Sequence, residues 1–148
     1  MRRTCRVGVA LVAMVAAGCS EEDAGSSANV TRSPLAILDV SDTSTSSLAR
    51  GGEGVLSITD DCVTLSLNEV PREITLVWRS AQVVWDEERS VIRFEDPDDG
   101  PIELSNGQVV EVGGEGTIGD VPRDPPWLVE PAGSCPPDFF TVHDIAMG

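Results

Sequence analysis

Residues 102–112, "IELSNGQVVEV", carry the most specific local signal in the chain. Two β-prone runs, 102–104 and 108–112, flank the dipeptide Asn106-Gly107. Asn and Gly tolerate the positive φ that both central residues of a type I′ turn require, so these runs are expected to pair as a β-hairpin. The same alternation of short runs and turn residues continues in both directions. Upstream, "VLSIT" (55–59) leads through Asp60-Asp61 into "CVTLSL" (62–67), where Val63, Leu65 and Leu67 alternate with Cys62, Thr64 and Ser66 at the period of a strand. "ITLVW" (74–78), "AQVVW" (81–85) and "SVIRFE" (90–95) follow, divided by "NEVPRE" and "DEER". Pro71 in the first divider cannot donate to a ladder. "DPDDGP" (96–101) is a turn signal. Downstream, residues 117–137 are Pro-rich and irregular, with Trp127 read as a packed plug, and "DFFTVHDI" (138–145) reads as a closing strand. "PLAILDV" (34–40) reads as an edge strand docking back on the domain, with a short sticky segment as the alternative. No window of ten or more residues after residue 18 combines helical spacing with caps. The expected fold is all-β, a small antiparallel barrel or sandwich of about six to eight short strands.

The chain has 148 residues, room for one such domain. It carries 25 acidic residues against 10 basic ones, all arginine, for a net charge of -15. A chain of this charge repels phosphate backbones, which excludes nucleic acid as a partner. The acidity suits solubility, basic partners or divalent cations.

The N-terminus has a separate organisation. Arg2, Arg3 and Arg6 precede an uncharged run, "VGVALVAMVAA" (7–17). Eleven residues fall short of the roughly 20 needed to cross a bilayer, and they fit the apolar region of a signal peptide. Ala16-Ala17-Gly18-Cys19 then resembles the lipobox of bacterial lipoproteins, with Ala16 where leucine is commonest. The resemblance implies that Cys19 receives a diacylglyceryl group, becomes the new N-terminus and is further acylated, for example with palmitate. The implied organisation is a signal peptide over 1–18, a lipidated Cys19 with a Ser/Thr-rich tether over 19–49, and a β domain over 50–148. The mature chain would keep 7 arginines against 25 acids, a net charge of -18. It would sit in the cell envelope, anchored to the outer face of the plasma membrane, or to the outer membrane where the cell has two.

Given that resemblance, Cys5 is discarded and Cys19 is lipidated. Cys62 and Cys135 remain in an oxidising compartment, where one disulfide is expected between them. Neither has metal-ligand spacing, and His143 is the only histidine, so no zinc site is expected. The run "GVLSITDDCVTL … ITLVW … VVW … VIRF … ELSNGQVVEVGGEG" is also similar to small extracytoplasmic β domains of lipoproteins from GC-rich bacteria. That likeness implies fold and location and transfers no site.

The remaining motifs are weak. "GGEG" occurs at 51–54 and 113–116 and reads as two glycine-rich turns or bulges. Neither copy is followed by Gly-Lys-Ser/Thr, so neither is a phosphate loop. "EDPDDG" (95–100) fails the calcium-loop frame from either start, because Pro97 or Gly100 falls where an oxygen ligand belongs. His143-Asp144 lacks a G-x-S-x-G partner. Asp60-Asp61 and Asp98-Asp99 lie in turn contexts, which favours solvated loops over acid pairs for glycoside chemistry. Trp78 and Trp85 read as core or hairpin-face aromatics, with an exposed strip for a glycan or peptide as the alternative. No catalytic residues, cofactor or metal are expected. The leading expectation is an anchored lipoprotein whose β module binds a protein or glycan ligand. The alternatives are a small hydrolase or carbohydrate-active protein using the acidic loops, and an accessory subunit of an envelope complex.

Overall fold

The computed structural model describes residues 33–40, 49–115 and 126–148. Every regular element among them is a strand. In chain order these are β1 (Ala36–Leu38), β2 (Ala49–Ile58), β3 (Val63–Leu67), β4 (Glu73–Arg79), β5 (Val83–Asp86), β6 (Val91–Asp96), β7 (Gly100–Leu104), β8 (Val109–Glu115), β9 (Trp127–Val129) and β10 (Phe139–Met147). The all-β expectation holds, with more strands than the sequence suggested.

Five strands close into a barrel in the order β10-β8-β2-β3-β4. β2 and β3 form the hairpin across Asp60-Asp61, in register from Gly54↔Leu67 to Ile58↔Val63. β3 continues antiparallel to β4, and β8 lies antiparallel to both β2 and β10. Closure comes from β10 running parallel to β4, Phe139↔Thr75 through Thr141↔Val77. A parallel pair needs a long return path, and here the chain between β4 and β10 supplies it.

β4 holds three partners because two of them share one edge. Leu67 N–H donates to Arg72 O and Ser80 N–H to Leu38 O, so even-numbered backbone groups around this strand meet β3 first and β1 afterwards. Thr75 N–H donates to Asp138 O on the opposite edge, toward β10. β1 runs parallel to β4 and antiparallel to β9. "PLAILDV" does contain a strand, but an interior one: β9 forms the edge. Leu35, Ala36 and Leu38 are buried, so this segment is part of the fold. Trp127 packs beside Phe139, ring centroids 6.5 Å apart, over a small cluster of Ala36, Leu38 and Val77.

β5, β6 and β7 form a separate antiparallel sheet. Its inward side chains Val83, Ile92, Phe94 and Leu104 join one core with Leu56, Leu65, Trp78, Val110 and Phe140 of the barrel. Trp78 meets Phe94 edge-on at 5.7 Å, a geometry worth about 0.5–1.5 kcal/mol beyond burial. Polar links join the layers as well. Gln82 Nε2 donates to the carbonyls of Glu95 and His143, at 3.3 and 3.1 Å.

The expected hairpin at Asn106-Gly107 does not form. β7 pairs with β6, whereas β8 pairs with β2 and β10. The turn itself is present, but only Gly107 has positive φ, at 85°. A turn of that kind splays its flanking strands, unlike type I′, whose twist matches the strands. Here the splay sends β7 into one sheet and β8 into the barrel. β2 holds the turn in place: Ile58 N–H donates to Asn106 Oδ1 at 2.7 Å, and Gly107 N–H donates to Leu56 O at 2.7 Å. Asn106 thus caps a neighbouring strand instead of closing its own hairpin.

The Cys62–Cys135 disulfide is formed, with Cα atoms 5.7 Å apart. It ties the start of β3 to the segment entering β10. Thr75 Oγ1 donating to Pro136 O at 2.8 Å, and Arg72 forking onto Asp138, hold the same segment against β4. The first "GGEG" lies within β2, where the register to β8 shifts between Arg50 and Gly52. The described part of the second lies within β8, not in a turn, and Gly116 lies outside the described residues.

Candidate functional site

Cys19 and the signal-like segment lie outside the described residues.

His143 is 1% exposed. It is the extra residue of a bulge in β10, between the pairs Val142↔Gly114 and Asp144↔Gly113. A bulge re-aims a side chain and frees its backbone. The ring turns onto the buried Arg79, whose Nη1 meets Nε2, and its carbonyl is left to accept from Gln82. Nδ1 has no hydrogen-bond partner. An arginine has only donors, so Nε2 must offer its lone pair. That nitrogen is thereby engaged by Arg79. Asp144 lies over Gly113 with Oδ1 buried and unpaired. Burial first, and then the negative Asp96 nearby, push its carboxyl above its ordinary pKa.

Asp96 explains the failed calcium frame. It is 6% exposed, and its Oδ1 accepts from the N–H groups of Asp98 and Asp99, at 2.9 and 3.0 Å. Its Oδ2 accepts from Ile145 N–H at 2.8 Å. The carboxylate organises the turn and latches it to β10, as short acidic side chains do in such turns. No group of three His, Cys, Asp or Glu side chains suited to a metal ion gathers among the described residues.

The two tryptophans part company. Trp78 is fully buried, and β4 and β5 belong to different sheets, so no two-tryptophan strip exists. Trp85 follows Val83 on the inward face of its sheet, but nearer the end of the layers, and is only partly buried against the core. There it lines a groove of about 510 Å³ with Pro34, Ile58, Thr59, Asp60, Asp61, Glu87 and Ser90. One wall is the tip of the β2–β3 hairpin, and the other is β5 with the turn into β6. Ser90 is the one non-glycine residue with positive φ among the described residues, at 52°. Such backbone strain concentrates at binding and switch sites.

A second groove of about 510 Å³ lies beside the β2 bulge, lined by Gly51, Gly52, Glu53, Leu67, Asn68, Glu69, Val70 and Glu111. It has no aromatic wall. Asn68 occupies Glu53 twice, through Nδ2 to Oε1 at 2.8 Å and through backbone N–H to O at 2.9 Å.

The convergence of Trp85 with Asp60 and Glu87 had no signature in the sequence, because it joins the tips of two non-adjacent hairpins. Asp60-Asp61 stood out as a turn and as an acid pair, not as one wall of a groove. The nearest signal was a tryptophan ending an apolar run directly before an acidic turn. Compared with protein-family models, curated proteins and solved structures, the chain matches none.

Proposed function

We propose that this chain is a lipid-anchored extracytoplasmic protein whose β domain binds a ligand in the groove around Trp85. The observation that carries the binding half is the partly buried indole set between two turns at the mouth of two packed layers. Ligand sites favour such concave places, where an apolar wall meets a few polar groups. The anchoring half is supported by the lipobox-like residues 16–19 after a short apolar run. Because residue 33 already belongs to the fold, only residues 20–32 separate Cys19 from it. Thirteen residues reach at most about 45 Å fully extended, which would keep the domain close to the bilayer surface.

Two arms test this. In cells producing the full chain, labelled palmitate is expected to enter the protein and to be lost in Cys19→Ala; label that persists in that variant defeats the anchor. The detergent-solubilised chain and its Trp85→Leu variant are then used to capture partners from envelope extracts. A partner held by the first and lost by the second is the expected result. Equal capture by both moves the site elsewhere.

A further inference from the structure

We infer that the Trp85 groove takes an organic cation: the arginine or lysine side chain of a basic peptide segment. This rests on the groove being the binding site and adds the chemical class of its ligand. Asp60 and Glu87 come from turns on opposite layers and approach the groove from its two walls. Both are exposed, and no arginine lines the groove among the described residues. Charge complementarity thus calls for a positive occupant. The whole chain, at -15, would draw such a ligand in and speed its encounter.

The apolar lining decides which kind of cation. Ile58, Pro34 and the indole of Trp85 give the groove an apolar wall beside its oxygen-bearing side chains. A divalent ion prefers six or more oxygens and gains nothing from that wall, and no three His, Cys, Asp or Glu side chains suited to a metal ion gather among the described residues. An arginine or lysine has the matching shape: an aliphatic stem to lie on the apolar wall and a charged head for the carboxylates. An indole also attracts such a head through its ring face, more strongly as water is excluded. The acidic groove beside the β2 bulge lacks this aromatic wall, and Asn68 already engages Glu53. It serves as an internal control of similar volume and charge.

The test measures fluorescence anisotropy of labelled hexa-arginine with the full chain in neutral detergent, at low and moderate salt. Hexa-arginine is expected to bind, and binding is expected to weaken with salt. The doubly substituted Asp60→Asn/Glu87→Gln protein should bind it at least about tenfold more weakly, a difference of about 1.4 kcal/mol. Glu69→Gln in the control groove should leave affinity within about twofold, as a remote rim charge does. Hexa-lysine should compete, and its fully acetylated form should not. Equal losses from the two grooves, or equal binding of the acetylated peptide, overturn the inference. So does the absence of any binding. Asp60 and Glu87 are exposed, so their substitution leaves the fold intact, which circular dichroism checks. If a neutral oligosaccharide binds and is lost in Trp85→Leu while hexa-arginine is ignored, the cation assignment fails and the groove stands. If Trp85→Leu changes neither peptide binding nor partner capture, both fail.

Discussion

Asp144 is a side chain whose ionisation opposes the fold. Its Oδ1 is buried without a partner, and burial together with Asp96 raises its pKa. The folded state therefore binds this proton more tightly than the unfolded chain. Ionised Asp144 costs stability above its folded pKa, and the cost vanishes below the unfolded value of about 3.9. Asp144→Asn removes the charge that burial and Asp96 disfavour, and is expected to stabilise the protein near neutral pH. The gain should shrink as the pH falls toward 4 and be absent below it, as read from urea midpoints across pH. A neutral-pH loss on Asp144→Asn would mean that the carboxylate has an attractive role. Asp138 behaves oppositely, because the hydrogen bond from Arg72 lowers its pKa. Its contribution is present above the ordinary carboxylate value and is lost as the pH falls through the lowered one. These opposed signs were illegible in "DFFTVHDI", where both aspartates look alike.

Among the strands, the two "GGEG" copies find their explanation in contact between β2, β8 and β10. Gly51 and Gly114 come from different copies, and a Cβ on either would strike the Phe140 ring, at 2.6 and 2.9 Å. At Gly114 an added Cβ would also lie 1.8 Å from Thr141 O, inside the β8–β10 ladder. The absent side chains make room for one aromatic ring. Gly114→Ala is expected to destabilise by about 3 kcal/mol or more, the upper end of overpacking. Gly133→Ala, where nothing lies within 4 Å of the new atom, should be within about 0.5 kcal/mol of neutral. Thermal melts of the pair decide it: equal effects would show that β8 and β10 can move apart freely. The sequence marked both copies as glycine-rich but held no clue to Phe140, because its ring arrives from the last strand of the chain.

For the molecule entire, the critical joint is where β10 returns to β4. Parallel pairing is slightly weaker per residue than antiparallel, and this ladder is short. The disulfide, the Thr75–Pro136 hydrogen bond and the Arg72–Asp138 fork all secure its entry. The cross-link spans 73 residues, and in the chain-entropy model a loop of that order stabilises by about 4 kcal/mol. Replacing both cysteines, Cys62→Ser with Cys135→Ser, is expected to lower unfolding free energy by about 2–5 kcal/mol. Hydrogen exchange should then show the loss of protection concentrated in β10 and β4. Loss spread evenly over the second sheet would argue that closure does not depend on the cross-link.

Local sequence alone determined that this chain is built of strands, where most of them turn, and that a glycine-bearing turn stands at Asn106-Gly107. Those features depend on a few neighbouring residues: side-chain alternation, β-branching, and the φ that a turn position demands. A count of cysteines, combined with the lipobox resemblance, was enough to pair Cys62 with Cys135. Only the tertiary structure decided which strand each turn joins to which sheet, that β10 closes the barrel in parallel, and that β1 lies between β4 and β9 and not at an edge. It also sent Trp78 into the core and left Trp85 at a groove mouth, though both end similar apolar runs. The reason is that partner choice is set by burial and hydrogen bonds between distant segments, such as Ile58 with Asn106 or Gly114 with Phe140. No stretch of a few residues encodes such encounters.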